Sequence, residues 1–416
     1  MKIKALRAHP VSVKLPATFW VGNTSFDTAS VIVVEVETDQ GVTGLATLHG
    51  RGMKIVCQMV EALQDLVVGM DAMAHEAVWA KVFGITTASP DPKAKPRSAI
   101  FHADNRAQLM TALAGIDVGL WDIKGQVFGM PVWRLLGADR SELPAYVTGG
   151  YYRSDRPDGG LREEMESYLA LGYTGMKIKV GAASIADDIK RIAEVRDTIG
   201  PDCQMMLDGN GAWTLEEAIA AIDAFLEYKP TWFEEPLHWY DSYRALGKLA
   251  AHTPVPIASG ESELHAWNCR DLIDLGGVRI MQFDACRSGG VTEWLRVAAY
   301  AHLHGVRMST HHEPHIHGHL AAAAPNGWNV ETFPNAERDP IFAGMYTHRA
   351  QIAGGKLVLN NEPGFGFGIE TATLFAFDSA LKIVSVSATG TALPMAFASA
   401  YESEFVSGSE TASGLY

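Results

Sequence analysis

The sequence predicts an α/β protein built on a TIM-like (β/α) barrel, with a smaller α+β domain preceding it. Three observations predict this architecture. Lys179, Asp208, Glu234, Glu261, Asp284 and His311 follow one another at intervals of 23 to 29 residues, about the length of one strand plus its crossover helix. Each belongs to an apolar, strand-like run: GMKIKV, CQMMLD, PTWFEEP, PIASGE, RIMQFD and VRMSTHH. Helical patterns such as SIADDIKRIAEVRDTI and TLEEAIAAIDAFLEY alternate with those strands, as strand-helix folds require. In such a barrel the C-terminal strand ends face one mouth, so residues far apart in the chain meet in one pocket.

At 416 residues the chain exceeds what a single core supports, and two domains are expected. SVIVVEVETDQGVTGLATLHG reads as two strands around a turn at Asp39-Gln40-Gly41, opening a hairpin or meander. From Met53 to Phe83 the apolar Ile55, Met59, Leu63, Leu66 and Val67 recur at helical spacing. Asp91 to Arg97 is a proline-punctuated charged stretch, expected to be a solvated connector. TALAGIDVGLWDIKGQVFGMPVWRLLGA predicts an amphipathic helix that joins the two domains and stops at Gly129, with Pro131 beyond. LPAYVTGGY then opens the barrel, Ser184 and Thr214 are placed as helix N-caps, and VTEWLRVAAYAHLHG is a later crossover helix. After Glu331 the stretch KLVLNNEPGFGFGIE regains strand and turn character. The resulting division is a capping domain at 1–125, a barrel at 126–345, a segment at 346–377 that returns to the capping domain, and a Ser/Ala/Gly/Thr-rich tail at 378–416 of no assigned role.

Composition narrows the function classes. A net charge of −14 without a basic cluster argues against nucleic acid or an anionic membrane as partner. Cys57, Cys203, Cys269 and Cys286 are widely spaced and form no CxxC pair, which points away from a disulfide framework and a thiolate zinc site. MKIKALRAHPVSVKLP lacks the apolar core of a signal peptide, and no run approaches membrane-span length. A soluble cytoplasmic protein acting on a small molecule is expected.

Asp208, Glu234 and Glu261 offer carboxylate oxygens from neighbouring strands, a donor set for a hard divalent cation, Mg2+ first and Mn2+ as an acceptable substitute. Glu235, adjacent to Glu234, is expected on the opposite side of its strand. Lys177 and Lys179 are two apart and share a strand face. Crowding and desolvation are expected to lower their pKa values towards those of a working base. Asp284 and His311 are placed to form a carboxylate-imidazole dyad. A base on either side of a metal-held carboxylate substrate suggests abstraction of the proton alpha to that carboxylate.

These motifs resemble the mandelate racemase branch of the enolase superfamily. GIDVGLWDIKGQVFGMPVWRLLG looks like its linker helix and MKIKV like its KxK strand. LDGNGAW, WFEEPL and SGES look like its metal-ligand strand ends, and FDACRSGGVTE, MSTHH and WNVE like its later strands. The resemblance covers about Met1 to Gly368 and implies an enolase-type barrel with a capping domain completed by the C-terminal segment. It implies Asp208, Glu234 and Glu261 as Mg2+ ligands and Lys179 as one base. His311 with Asp284 would be the other, Lys177 would touch the carboxylate or tune Lys179, and Glu331 would donate to the enediolate oxygen. Asn210 would touch substrate, and cap loops near Phe19 to Phe26 and His49 to Arg51 would select it. His49, Arg51 and His312 are further candidates for substrate binding, whereas His315, His317 and His319 look like part of a helix start. The activity implied is dehydration of a sugar acid or other polyhydroxy acid to a 2-keto-3-deoxy acid. A 2-hydroxy acid racemase or epimerase is the alternative, and a non-catalytic acid-binding paralogue the remaining rival. A symmetric homo-oligomer, dimer or octamer, is the family-level expectation.

Overall fold

The computed structural model describes residues 1–22, 24–87, 98–155, 160–240 and 243–370. Three antiparallel strands open the chain: β1 (Ile3–Val21), β2 (Thr24–Thr38) and β3 (Thr43–His49). The β2–β3 turn falls where Asp39-Gln40-Gly41 predicts it, with Gly41 at φ 80°. The helical stretch after β3 divides into α1 (Met53–Val67) and α2 (His75–Phe83). The long helix α3 (Arg106–Phe128) ends on Gly129 in the left-handed conformation, and the short α4 (Val132–Leu135) follows. The expected connector at Asp91 to Arg97 lies outside the described residues.

The barrel strands are β4 (Glu142–Gly149), β6 (Gly175–Lys179), β7 (Gln204–Asp208), β8 (Trp232–Glu234), β9 (Ile257–Ser259), β10 (Ile280–Met281), β11 (Arg307–Ser309) and β12 (Gly327–Thr332). They pair in parallel in that order, and β12 pairs with β4 to close the ring. The two-residue β5 (Tyr152–Arg153) leaves the barrel to pair with β1 at the edge of the cap sheet. Crossovers are α5 (Leu161–Ala170), α6 (Ile185–Ile199), α7 (Leu215–Phe225), α8 (Tyr243–His252), α9 (Ala266–Asp274), α10 (Gly290–Leu303) and α11 (Pro314–Ala323). Ser184 and Thr214 do cap α6 and α7, the latter in a capping box with Glu217.

Alternation along the strands separates two cores. Phe233 faces outward and stacks on Trp213, 5.6 Å between ring centroids. Trp232 points inward against Tyr146 and Trp328, filling the barrel beneath Glu234. The mouth is therefore floored by aromatic rings, and the polar residues sit one layer above them.

Helix α3 departs from its expected amphipathic character, being buried almost continuously from Leu109 to Gly125. A helix apolar on all sides is a core helix, and this one lies between cap and barrel, so a domain boundary at 125 falls inside a shared element. A Cβ on Gly119 would come 2.6 Å from Val36 Cγ2, and one on Gly44 2.0 Å from the Gly119 carbonyl. Bare glycines thus let strand and helix approach.

Two buried acids on α3 fasten the layers. Asp117 accepts from the Thr292 N–H (2.9 Å) and hydroxyl (2.6 Å) at the start of α10. Asp122 accepts from the backbone N–H groups of Leu45 and Phe365, both at 2.9 Å, and from Gln126. Burial pushes their carboxyls up to about 7 and about 6. Asp122→Ala strands the buried Phe365 N–H and the partly buried Leu45 N–H and is expected to cost about 2–4 kcal/mol in denaturant melts, with Asp122→Asn milder.

The C-terminal segment is more divided than expected. A short helix α12 (Pro340–Gly344) packs by Ile341 beside the cap residues Val11 and Leu15. β13 (Tyr346–Thr347) pairs with β16 (Gly368–Ile369). The hairpin β14 (Gln351–Ala353) and β15 (Lys356–Val358), however, pairs antiparallel with the start of barrel strand β4, not with the cap sheet. Residues 371–377 and the tail at 378–416 lie outside the described residues. No helix among the described residues is long and apolar enough to cross a membrane.

Candidate active site

The predicted site residues converge at one end of the barrel. Lys179, Asp208 and Glu234 are the last residues of β6, β7 and β8. Glu261, Asp284 and His311 stand two or three positions beyond β9, β10 and β11, and Glu331 is next to last in β12. Four non-glycine residues on the loops at this mouth, Asn210, Glu235, His312 and Glu313, take positive φ between 37° and 44° or, for His312, 49°. Such conformations cost energy and collect at functional sites.

Asp208, Glu234 and Glu261 are buried and present oxygens within 4.8 Å of one another. Glu234 accepts from the Trp232 indole N–H (2.9 Å) and Gln282 (2.8 Å) on one oxygen and from Lys177 (2.5 Å) on the other. Burial, with Asp208 beside it, pushes its carboxyl well up. Glu261 is held below the usual range because His311 and the two lysines outweigh its burial. Three clustered carboxylates of which one resists ionisation form a site deficient in positive charge. The oxygen-only donor set fits a hard divalent cation such as Mg2+.

Lys177 and Lys179 share the inner face of β6, as their spacing predicts. Lys177 is 1 % exposed, so its charge depends on neighbours: Glu234, Glu331 at 2.8 Å and Asp208 at 3.6 Å. Lys179 pairs with Asp208. The expected fall in lysine pKa is reversed. Burial alone would lower both, but the surrounding carboxylates raise both above the ordinary value. The spacing reveals two crowded lysines, not the acids that barrel closure packs around them.

His311 Nδ1 lies 2.8 Å from Asp284, and Nε2 lies 3.3 Å from Glu261. Burial would lower its pKa, but these carboxylates carry it up to about 9. Asp284 also faces His317 at 3.3 Å and His49 at 3.1 Å, the latter without hydrogen-bond alignment. His317, His311 and His49 overcome its burial and hold it ionised. His49 stacks on His311 (5.1 Å, 12°) and edge-on against His312 (4.6 Å), so a cap residue touches the dyad directly.

Glu331 differs from its expected donor role. It accepts from Thr148 (2.5 Å), Lys177 (2.8 Å) and the His312 N–H (2.8 Å), and Lys177 and His311 hold it ionised despite burial. Here it is the counter-ion of Lys177. Glu235 takes no part in the carboxylate cluster. It lies just past the end of β8 at φ 37°, accepts from the Trp239 indole N–H (3.1 Å) outside the Asp208, Glu234 and Glu261 cluster, and burial, with Glu261 and Asp208 nearby, raises its carboxyl. His315 meets Thr47 and Glu313, His317 accepts from the Ala285 N–H, and His319 accepts from the Trp133 N–H. Those three imidazoles belong to the packing of α11.

A cavity of about 340 Å³ opens over these groups between cap and barrel. Lys179, Asn210, Glu261, His311 and His312 line its inner wall, and His49 and Arg51 line the cap side. Asn210 Oδ1 is buried without a partner, free to bind a ligand. The Phe19–Phe26 region is the tip of the β1–β2 hairpin, with Phe19 paired to Phe26; Phe26 reaches the cavity. Sequence reasoning missed Tyr151 and Arg338, which also line it. Tyr151 follows the glycines that end β4, a detectable signal, whereas Arg338 sits in a polar loop that reads as solvated.

Residues 160–373 match the sequence model described as the enolase C-terminal domain-like family. Residues 3–137 match the mandelate racemase / muconate lactonizing enzyme N-terminal domain. The chain is 31% identical to a D-galactarolactone cycloisomerase of Agrobacterium fabrum, covering 91% of this chain and 99% of that one. It is 29% identical to an arabinonate dehydratase of Saccharolobus solfataricus, covering 89% and 91%. A mandelate racemase/muconate lactonizing enzyme from a marine actinobacterium, solved in complex with magnesium, superposes with a TM-score of 0.77 at 32% identity, covering 90% of this chain and 98% of that one. Fold, strand-end residues and both domain matches agree: the chain belongs to the mandelate racemase / muconate lactonizing enzyme branch of the enolase superfamily.

Proposed function

We propose that this chain is a Mg2+-dependent sugar-acid dehydratase, a hydro-lyase. The observation that carries the reading is one cavity lined by two proton-transfer groups, Lys179 and the Asp284-held His311, on either side of three clustered carboxylates. Asp208, Glu234 and Glu261 would hold the cation. When bound, it supplies the positive charge that stabilises an enediolate as the alpha proton leaves.

The chain's own groups divide the remaining work. Lys179 Nζ, once Asp208 is engaged elsewhere and the amine is neutral, accepts the alpha proton. Asp284 fixes His311 through Nδ1, so that Nε2 faces the cavity and gives its proton to the departing beta hydroxyl, which leaves as water. The resulting enol tautomerises to the 2-keto-3-deoxy acid. Lys177, neutralised by Glu234 and Glu331, fixes the floor against which the carboxylate is held. A similar arabinonate dehydratase supports elimination over racemisation.

The similarity to a galactarolactone cycloisomerase favours a second reading on the same residues. There Lys179 takes an alpha proton and a ring oxygen is expelled in place of hydroxide. A panel of aldonates, aldarates and their lactones, with Mg2+ and semicarbazide detection of 2-keto acids, separates the two. Keto-acid from an open-chain acid supports the dehydratase. Conversion confined to lactones supports the second reading. No conversion anywhere in the panel would reject both.

A further inference from the structure

One carboxylate of the cluster is held from beneath on a single oxygen. Gln282 stands two positions before Asp284 and shares its inward side, fully buried between Ile280 of the floor and Asp284 of the mouth. Its backbone N–H continues the pairing of β9 and β10 by donating to the Ser259 carbonyl at 2.9 Å. Its side-chain amide donates to Glu234 Oε2 at 2.8 Å, and the Trp232 indole N–H donates to the same oxygen at 2.9 Å. A carboxylate oxygen has two lone pairs, so protein donors occupy both of those on Oε2. Oε1 is the oxygen left to a ligand, and Lys177 meets it at 2.5 Å. Asp208 is restrained from below by one donor, the Asn210 N–H, 3.0 Å from its Oδ1.

Resting on the reading of Asp208, Glu234 and Glu261 as the cation site, we propose that Gln282 is a positioning residue that, with Trp232, limits Glu234 to one ligand oxygen and so selects Mg2+ over Ca2+. Mg2+ requires about six oxygens in a compact octahedron, several of them water, whereas the larger Ca2+ takes about six to eight and readily uses both oxygens of one carboxylate. Glu234 can give up its second oxygen only by releasing a buried indole or amide N–H, and a stranded buried donor is costly. Neither Gln282 nor Trp232 lines the cavity. Both therefore act through Glu234, and the discrimination is built into the floor of the barrel.

The test is calorimetric titration of Mg2+ and of Ca2+ into the metal-stripped full-length protein, wild type beside Gln282→Met and Trp232→Phe. Gln282→Met keeps the length of the side chain and the backbone bond to Ser259. It also removes the amide oxygen, which is buried without a partner among the described residues, so the variant is expected to fold. Trp232→Phe removes the other donor while keeping a ring in the floor, and it decides the question should Gln282→Met not fold. The wild type is expected to bind Mg2+ more tightly than Ca2+. In the variants Mg2+ binding is expected to weaken about 10- to 100-fold, the usual effect of losing a group that orients a metal ligand, while Ca2+ binding changes by less than about threefold. The ratio of the two dissociation constants then moves towards Ca2+, which a general loosening of the site, weakening both cations alike, would not produce. Equal weakening of both cations, or a ratio unchanged from the wild type, overturns the proposal. A wild type that prefers Ca2+ rejects the selection while leaving the cation site standing, and a wild type that binds neither cation rejects the site and the proposal with it.

Discussion

Lys179→Ala and His311→Ala are each expected to lower kcat for sugar-acid dehydration by about 10²- to 10⁴-fold, the range for loss of a positioned acid or base. The reason is geometric. Lys179 is the last residue of β6 and lines the cavity beside Asp208, while His311 is fixed by Asp284 on the Glu261 side. Neither side chain can stand in for the other. Both variants are expected to stay folded when Mg2+ is present, because the aromatic floor of Tyr146, Trp232 and Trp328 is untouched, but His311→Ala is expected to melt below the wild type since it leaves Asp284 without its 2.8 Å partner. Wild-type turnover in Lys179→Ala would remove that residue from the mechanism.

Mg2+ is expected to stabilise the metal-stripped protein by about 2.7 kcal/mol at a hundredfold excess over its Kd, and more so as pH rises. Without metal, burial with Asp208 alongside raises the Glu234 carboxyl to about 8, and burial with Glu261 alongside raises Glu235 to about 7. An acid whose folded pKa lies above its unfolded one contributes stability that is complete below about pH 4.5 and is lost as pH rises through the folded value. His311, raised to about 9, has the same sign: its contribution is full below about 6.5 and fades towards 9. His49, His312, His315 and His319, all lowered, act oppositely, but their effect is confined to the region below and around 6.5. Between pH 7 and 8 the metal-free protein should therefore lose stability, each raised group contributing at most about 1.4 kcal/mol per pH unit. Thermal melts at both pH values, with and without Mg2+, check this. A metal-free melting temperature that rises with pH, or equal Mg2+ stabilisation in Glu234→Gln, would contradict it.

The strand-end residues were legible because a parallel barrel imposes a repeat: one reactive position per strand-helix unit is a one-dimensional signal. Seven of the strand runs, the caps at Ser184 and Thr214 and the Gly129 stop are readable for similar local reasons, whereas the eighth strand, WNVE, is found only through the resemblance. What depends on three-dimensional closure was not. Lys177 and Lys179 look like crowded cations in sequence, and only the ring brings Asp208, Glu234 and Glu331 around them. Helix α3 looked amphipathic because nothing local reveals that cap and barrel cover opposite sides of it. Arg338 carries no periodic signal, since its place at the cavity is set by three rings contributed by β2, the loop after β4 and the loop after β12.

The most direct test of the central claim is alpha-proton exchange in D2O, followed by NMR on the acid that the panel identifies, with Mg2+ present. His311→Ala should exchange the alpha proton without forming keto acid, because Lys179 still removes the proton while the beta hydroxyl lacks its acid. Lys179→Ala should neither exchange nor eliminate. Exchange retained in Lys179→Ala and lost in His311→Ala would contradict the assignment of Lys179 as the base.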